Sequence, residues 1–215
     1  MLILAFDTST PAVTVAVLDD GEVVGSRGQI DARRHGEVLA PSIDGAIADA
    51  GRALSDLDAV AVGNGPGPYT GLRIGLVTAR ALAHALGVPA YGICSLDALA
   101  AAAGGGDLFC ASDARRREVY WACYSAGVRT AGPEVSRPAD LGELPDRRVG
   151  YGVSLYAEQL GPLDDSAPLY PQAEWVGRLI GAALSRGETP DGVAPLYLRR
   201  PDAQEPKPPK AVRPA

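Results

Sequence analysis

Between an apolar run at Leu57–Val62 and a helical pattern that starts at Gly71 lies the segment Gly63-Asn64-Gly65-Pro66-Gly67-Pro68-Tyr69-Thr70. A glycine loop that follows a strand and opens a helix can hold an anion on its backbone N–H groups, with Thr70 placed to cap the helix. Pro66 and Pro68 remove two of those donors. The loop is therefore a poorer phosphate cradle than one of plain glycines, and it reads first as a rigid strand-to-helix corner. Asp7 and Asp113 each end a first strand, where a carboxylate can hold a metal through water. Yet Thr8-Ser9-Thr10-Pro11 offers no glycine to admit a phosphate closely, and Arg115, Arg116 and Arg117 would pair with acids. Both aspartates read as turn caps.

Other chemistries are excluded by residue type. The two histidines, His35 and His84, fall on different predicted helices, and neither has the i, i+4 partner of a helical metal pair. Cys94, Cys110 and Cys123 lack C-x-x-C spacing and sit in apolar strand contexts, which points to core residues and a reducing compartment. The only lysines are Lys207 and Lys210, so residues 1–198 hold no P-loop, Schiff-base or kinase-type lysine. No Ser/His/Asp triad is specified.

The elements that must position these residues follow from periodicity. Leu2–Phe6, the alternation Val13, Val15, Val17, and Glu22–Ser26 read as an antiparallel meander with a turn at Gly21. His35–Ala50 reads as a helix with Leu39, Ile43, Ala46 and Ile47 on one face. Val88–Gly92 is a strand, and Ser95–Ala103 a helix that Gly104-Gly105-Gly106 breaks. Leu108–Ser112 then restarts the opening pattern. Val13 and Val119 each stand six residues after an aspartate, and Gly21 and Gly127 fourteen, which suggests a duplicated β-β-β unit. Strands at Arg148–Tyr151, Ala167–Tyr170 and Pro195–Leu198 and a helix at Gln172–Ser185 complete an α/β reading. The expected lobes are 1–103 and 104–198, with a disordered Pro-rich tail at 199–215.

The helix at 71–86 is apolar nearly all round. Leu72, Leu76, Ala79, Ala83 and Leu86 make one stripe, with Gly71, Gly75 and Leu82 beside it. Ile74, Val77, Ala81 and Ala85 cover the opposite side, leaving Arg73, Arg80 and His84 as a narrow polar strip. Such a helix is either sandwiched inside its own domain or shared with another chain.

Composition bounds the rest. In 215 residues, 47% are hydrophobic and 21% charged, so a packed core is expected. The net charge is −6, and the body 1–198 alone carries −9, which argues against a general basic surface for nucleic acid. Met1–Phe6 is too short for a signal core, and no apolar run approaches the ~18 residues of a membrane span. A soluble, cytoplasmic protein is expected.

Five blocks in order carry a family resemblance: Ile3-Leu-Ala-Phe-Asp7-Thr-Ser9; His35-Gly-Glu37-x-Leu39-x-Pro41; Gly65-Pro-Gly-Pro-Tyr-Thr-Gly-Leu-Arg-Ile-Gly75; Asp113-Ala-Arg115-x-x-Glu118-Val-Tyr120; and Pro195-Leu-Tyr-Leu-Arg199. Over residues 1–200 the set resembles the TsaB family, formerly YeaZ. It departs at Gly36, where serine is usual, and at Pro68-Tyr69, where Ser-Phe is common. The resemblance implies two RNase H-like lobes of the actin-like ATPase (ASKHA) superfamily, with mixed sheets flanked by helices. It implies a part in making N6-threonylcarbamoyladenosine (t6A) in tRNAs that read codons starting with A. In that system the family member is a non-catalytic subunit that binds and activates TsaD, with TsaE docking on the pair, a homodimer when alone, and tRNA reached through the complex. No cofactor is expected on this chain alone, and ATP or ADP at the subunit interface stays open. The interface the resemblance implies maps to His35, Leu39, Ile43, Gly71, Leu72, Arg73, Gly75, Leu76, Val77, Ala79 and Ala83. An autonomous actin-like ATPase or kinase is the alternative. A metallopeptidase, an old label for the wider superfamily, is disfavoured by the absence of a metal-ligand cluster.

Overall fold

Residues 1–31 and 34–199 are described by a computed structural model. The tail expected at 199–215 therefore lies outside the described residues, except for Arg199. Strand β1 (Leu2–Asp7) is buried along its whole length and centres the first sheet. It pairs antiparallel with β2 (Ala12–Asp19), which pairs with β3 (Glu22–Ile30). On its other side β1 runs parallel to β4 (Ala59–Gly63), and β4 to β5 (Ala90–Ile93), so the order is β3-β2-β1-β4-β5. The parallel strands are covered on both faces, which is why Ala59-Val-Ala-Val62 is unbroken apolar sequence.

The pleat sorts the two faces. Leu4, Phe6, Val13, Val15, Val60 and Val62 point toward α1 (His35–Asp49) and α2 (Tyr69–Leu86), where they meet Leu39, Ile43, Leu72 and Leu76. Ile3, Ala5, Ala16 and Ala61 point the other way. That face is covered by α6 (Ala173–Ser185) through Ala173, Val176 and Ile180, next to Ala98 of α3 (Ser95–Ala102). Gly177 brings α6 against the sheet, since a Cβ there would lie 2.3 Å from the Leu18 side chain.

The second sheet repeats the plan with β6 (Leu108–Asp113), β7 (Val119–Ser125), β8 (Val128–Ser136) and β9 (Arg147–Val149), in the order β8-β7-β6-β9. Again a first strand pairs antiparallel with the second and parallel with a later one. The corresponding turns match as well. Asp20-Gly21 and Ala126-Gly127 both have positive φ at two successive residues, the hairpin geometry that fits right-twisted strands. Two short helices, α4 (Tyr151–Leu155) and α5 (Ala157–Leu160), follow β9.

Four expectations are corrected. Although α6 comes late in the chain, it packs on β1, β2 and β4, because its Ala173/Val176/Ile180 stripe completes the first sheet's uncovered face. Residues 167–170 and 195–198 form no strand. The latter run bonds irregularly: Leu196 N–H donates to the Asn64 carbonyl at 2.9 Å and Tyr197 N–H to the Pro195 carbonyl at 3.2 Å. The helix α2 begins at Tyr69 with Pro68 as the capping position and no side-chain cap, so Thr70 lies inside the first turn. No helix among the described residues is long and apolar enough to cross a membrane.

The loop and α2 sit unusually close to the end of β1. A Cβ added at Gly67 would stand 2.2 Å from the Ser9 carbonyl oxygen, at Gly71 2.5 Å from that of Thr8, and at Gly75 2.4 Å from Thr8 Oγ1. These are backbone or enclosed atoms with nowhere to move. We expect Gly67→Ala to destabilise the protein by about 1–3 kcal/mol through overpacking. Gly36→Ala, whose Cβ would meet only Ile74 Cδ1 at 3.8 Å, should be neutral or slightly stabilising. Urea denaturation followed by circular dichroism measures both. Equal stability of the two variants would show that the loop yields.

Candidate functional site

Asp7 is fully buried, and its carboxylate is already engaged. Oδ1 accepts the Ser9 backbone N–H at 2.8 Å and the Ser9 hydroxyl at 2.7 Å. Oδ2 accepts the Ser95 hydroxyl at 2.5 Å. Ser95 Oγ in turn accepts the Gly65 N–H at 3.2 Å, while Ser95 N–H donates to the Gly65 carbonyl at 2.7 Å. This carboxylate thus ties β1, α3 and the Gly-Pro loop together. Gly63 is needed here, because a Cβ would fall 1.8 Å from Asp7 Oδ2. Burial pushes the Asp7 carboxyl above its ordinary range, against the opposing hydroxyl and backbone donors and the nearby His35.

Asp113 plays a milder version of the same part. Its Oδ1 accepts the Arg115 N–H at 2.8 Å, and the Arg115 guanidinium lies 3.6 Å from its carboxylate. Arg115, Arg116 and Arg117 have φ of 62°, 56° and 62°, three successive left-handed residues without a glycine. Each such residue costs stability, so the turn must be over-determined. It is closed by Ala114 N–H on the Glu118 carbonyl and Glu118 N–H on the Arg115 carbonyl, both at 3.0 Å. Arg199 adds a clasp, donating to the Ala114 carbonyl at 3.0 Å and to the Glu118 carboxylate.

Between the two turns runs a cleft. One cavity of about 240 Å³ is walled by Thr8, Thr10, His35, Gly71 and Arg115. A second, of about 500 Å³, is walled by Tyr69, Arg116, Tyr120, Tyr197 and Arg199. Pro68 and Arg115 border both. Tyr69 stacks on Tyr197 with ring centroids 5.5 Å apart, and Arg73 donates to the Tyr69 hydroxyl at 2.6 Å. His35 Nε2 is 2.7 Å from the Thr10 carbonyl, which occupies that ring nitrogen. Among the described residues, no three His, Cys, Asp or Glu side chains stand together to hold a metal.

The residues expected at an interface divide sharply. Leu39, Ile43, Gly71, Leu72, Gly75, Leu76, Ala79 and Ala83 are buried on the side of α1 and α2 that packs against the first sheet. The backbone that Gly71 and Gly75 admit is this chain's own Thr8. His35 is half-buried at the cleft. Arg73 and Val77 face solvent, Val77 being 54% exposed, and Ala81 and Ala85 are exposed on the same side. The outer side of α2 is thus an apolar stripe, Val77-Ala81-Ala85, bordered by Arg73, Arg80 and His84. Cys94 and Cys110 are buried thiols whose pKa values burial raises, to about 12 for Cys94. The Asp7–Ser95–Gly65 link, the Tyr69–Tyr197 stack and the Arg199 clasp were not foreseen. Their residues fall in the Gly65–Gly75, Asp113–Tyr120 and Pro195–Arg199 blocks, whose sequence carries no sign that they meet.

The family described as TsaD, tRNA N6-adenosine threonylcarbamoyltransferase, matches residues 25–159. An uncharacterized protein of Mycobacterium tuberculosis is 47% identical over 207 residues, covering 94% of this chain and 93% of that one. The Escherichia coli protein named tRNA threonylcarbamoyladenosine biosynthesis protein TsaB is 38% identical over 128 residues, 58% of this chain and 55% of its own length. Among solved structures, YeaZ from Pseudomonas aeruginosa superposes with a TM-score of 0.78 at 35% identity, over 92% of this chain and 99% of that one. The fold is the α/β, actin-like architecture with two mixed sheets flanked by helices.

The buried carboxylate gives a pH test. The folded Asp7 keeps its proton to higher pH than the ordinary value of 3.8. Its contribution to stability is therefore present at low pH and lost as pH rises from about 4 through the folded pKa. Asp7→Asn removes this titration and keeps the acceptor for Ser9. Denaturation of both proteins between acid and neutral pH should show the wild type losing ground to the variant as pH rises. A gap that stays flat would mean that Asp7 titrates alike in the folded and unfolded states.

Proposed function

The chain belongs to the TsaB (YeaZ) family, and from that premise we propose that it is the non-catalytic partner subunit of TsaD in making N6-threonylcarbamoyladenosine in tRNAs that read codons starting with A. The observation that carries the reading is the 35% identity with YeaZ over nearly the whole of both chains. The printed name of the Escherichia coli relative points to t6A biosynthesis, and the match to the TsaD family over residues 25–159 fits a subunit related to its own partner. In this reading the chain binds TsaD and holds it in its active conformation, TsaE docks on the pair, and tRNA is reached through the complex. Alone, the chain pairs with itself, and the site of action is the cytoplasm.

The residues support a scaffold over an enzyme. Both oxygens of Asp7 are committed to Ser9 and Ser95, and the space between its turn and the Gly-Pro loop is filled by Thr8 and Ser9. A general base must reach a reacting proton, and this carboxylate reaches only its own supports. The docking surface is the outer stripe of α2. Val77, Ala81 and Ala85 supply apolar area and Arg73 and Arg80 a polar rim, the pattern of an interface core and its border.

The test is co-purification with a TsaD homologue from the same cell, with and without ATP, beside a tRNA modification assay. Val77→Glu should fold normally and weaken both the homodimer and the TsaD complex by about one to two decades in affinity. Ala79→Trp cannot serve, because Ala79 is 0% exposed and the ring would break the core. If Val77→Glu and Ala81→Glu fold, dimerise and bind TsaD as the wild type does, the outer stripe is not the partner surface.

A further inference from the structure

Elsewhere in this acidic chain, arginines pair one by one with carboxylates: Arg27 with Asp49, Arg52 with Asp19, Arg147 with Asp164 and Arg186 with Glu188. The turn after β6 concentrates them instead. Arg115, Arg116 and Arg117 stand in succession and all three are exposed. Each is held in the left-handed region, where glycine would sit without strain, so the turn gives up stability to keep three long cationic side chains together. The larger cavity of the cleft opens beside this turn. Arg115, Arg116 and Arg199 wall it together with Tyr69, Tyr120 and Tyr197, and no carboxylate among the described residues lines it. Tyr69 is 56% exposed and Tyr197 46%, so their stacked rings present flat apolar surface to solvent. Tyr156 lies within reach of the same charges: burial raises its phenol pKa, Asp113 adds to the rise and Arg117 opposes it. The sequence beyond Arg199 adds Arg200, Lys207, Lys210 and Arg213 against Asp202 and Glu205.

We propose that this face binds a single strand of nucleic acid, with its phosphates along the Arg115–Arg117 turn and its bases stacked on the exposed rings of Tyr69 and Tyr197. Guanidinium groups match phosphate oxygens, and an exposed aromatic face accepts any base. An acidic peptide would use the arginines and leave the rings idle. A duplex keeps its base faces inside its own stack and could use the arginines alone. A free nucleotide brings its phosphate to one point, whereas these arginines follow one another along the turn. The patch is local. The body of the chain carries a net negative charge, which repels a polyanion elsewhere and confines the strand to this face. RNA and DNA strands share the phosphates and base faces that the site would hold. The inference goes beyond the partner reading above and does not rest on it, because the chain alone should bind.

The experiment is fluorescence anisotropy on the full chain with a labelled single strand of about ten nucleotides and mixed sequence, as RNA and as DNA, over a series of salt concentrations. Binding of either strand supports the proposal, and their ratio identifies the backbone that is held better. The logarithm of the affinity should fall against the logarithm of salt with a slope of about −2, the value for three phosphate contacts on a single strand. The unlabelled duplex of the same sequence, poly-glutamate and AMP should each compete about tenfold more weakly or worse. Tyr197→Ala, checked by circular dichroism, should weaken the strand about tenfold through lost stacking. Arg117→Gly, which suits the left-handed turn, should make the salt slope shallower by about 0.7. Arg186→Gln, far from the turn in sequence and paired with Glu188, should leave binding unchanged. No binding of either strand at low salt and about 100 μM protein overturns the proposal. Equal competition by the duplex, poly-glutamate or AMP overturns it as well. Neither result needs a variant to be folded, and neither bears on co-purification with TsaD.

Discussion

The contact between the end of β1 and the glycine series is the constraint on which this structure turns. Asp7, Thr8 and Ser9 form a buried polar corner inside an apolar core. Its polar groups need partners within the protein; Ser95, itself bonded to Gly65, and the Gly71 carbonyl provide them. Those partners can approach only where side chains are missing. Gly63, Gly67, Gly71 and Gly75 stand at the points where a Cβ would meet Asp7, Ser9 or Thr8. A phosphate-binding fold uses a loop of this kind to bring backbone donors to an anion. Here the same shape is spent on the chain's own turn, which places α2 and leaves its far side free.

That allocation explains why α2 looks apolar all round. Its inner stripe is closed by small residues against Thr8 and by Leu72 and Leu76 against the sheet. Its outer stripe, Val77-Ala81-Ala85, is exposed among the described residues. Periodicity in the sequence shows two apolar sides but not which is inside, because alanine, glycine and valine differ little in hydrophobic signal. Volume is the discriminating property. The glycines mark the close approach, and the valine marks the side with room. An interface inferred from the helix as a whole therefore picks out many core positions, while Arg73 and Val77 are the ones that reach solvent.

The sheets were legible for a related reason. Each begins with a buried strand ending in aspartate, followed at matching intervals by a valine and a turn glycine, and local turn chemistry needs little from the rest of the chain. The later part was not legible. An amphipathic helix at 173–185 advertises its apolar stripe but not which sheet it covers, and that choice is made by Gly177 meeting Leu18 far back in the sequence. Residues 191–199 carry strand-like composition, but their N–H and carbonyl groups go singly to Gly92, Asn64 and Arg80 rather than to a ladder.

The loop at 63–70 is therefore held from both sides. Toward the cleft, Gly65 is bonded to Ser95, which is bonded to Asp7. On the other side, Asn64 donates to the Ile93 carbonyl at 2.8 Å and accepts from Leu196 at 2.9 Å, and Tyr69 stacks on Tyr197. A segment tied at so many points loses little further freedom when its helix meets a partner, so the outer face of α2 is presented already formed. Association through such a face is governed by the side chains on it and by whether the helix beneath stays seated. Substitutions at Gly71, Gly75 or Ala79 act through the seat, and those at Arg73, Val77 or Ala81 act through the face, so only the second group reports on recognition itself.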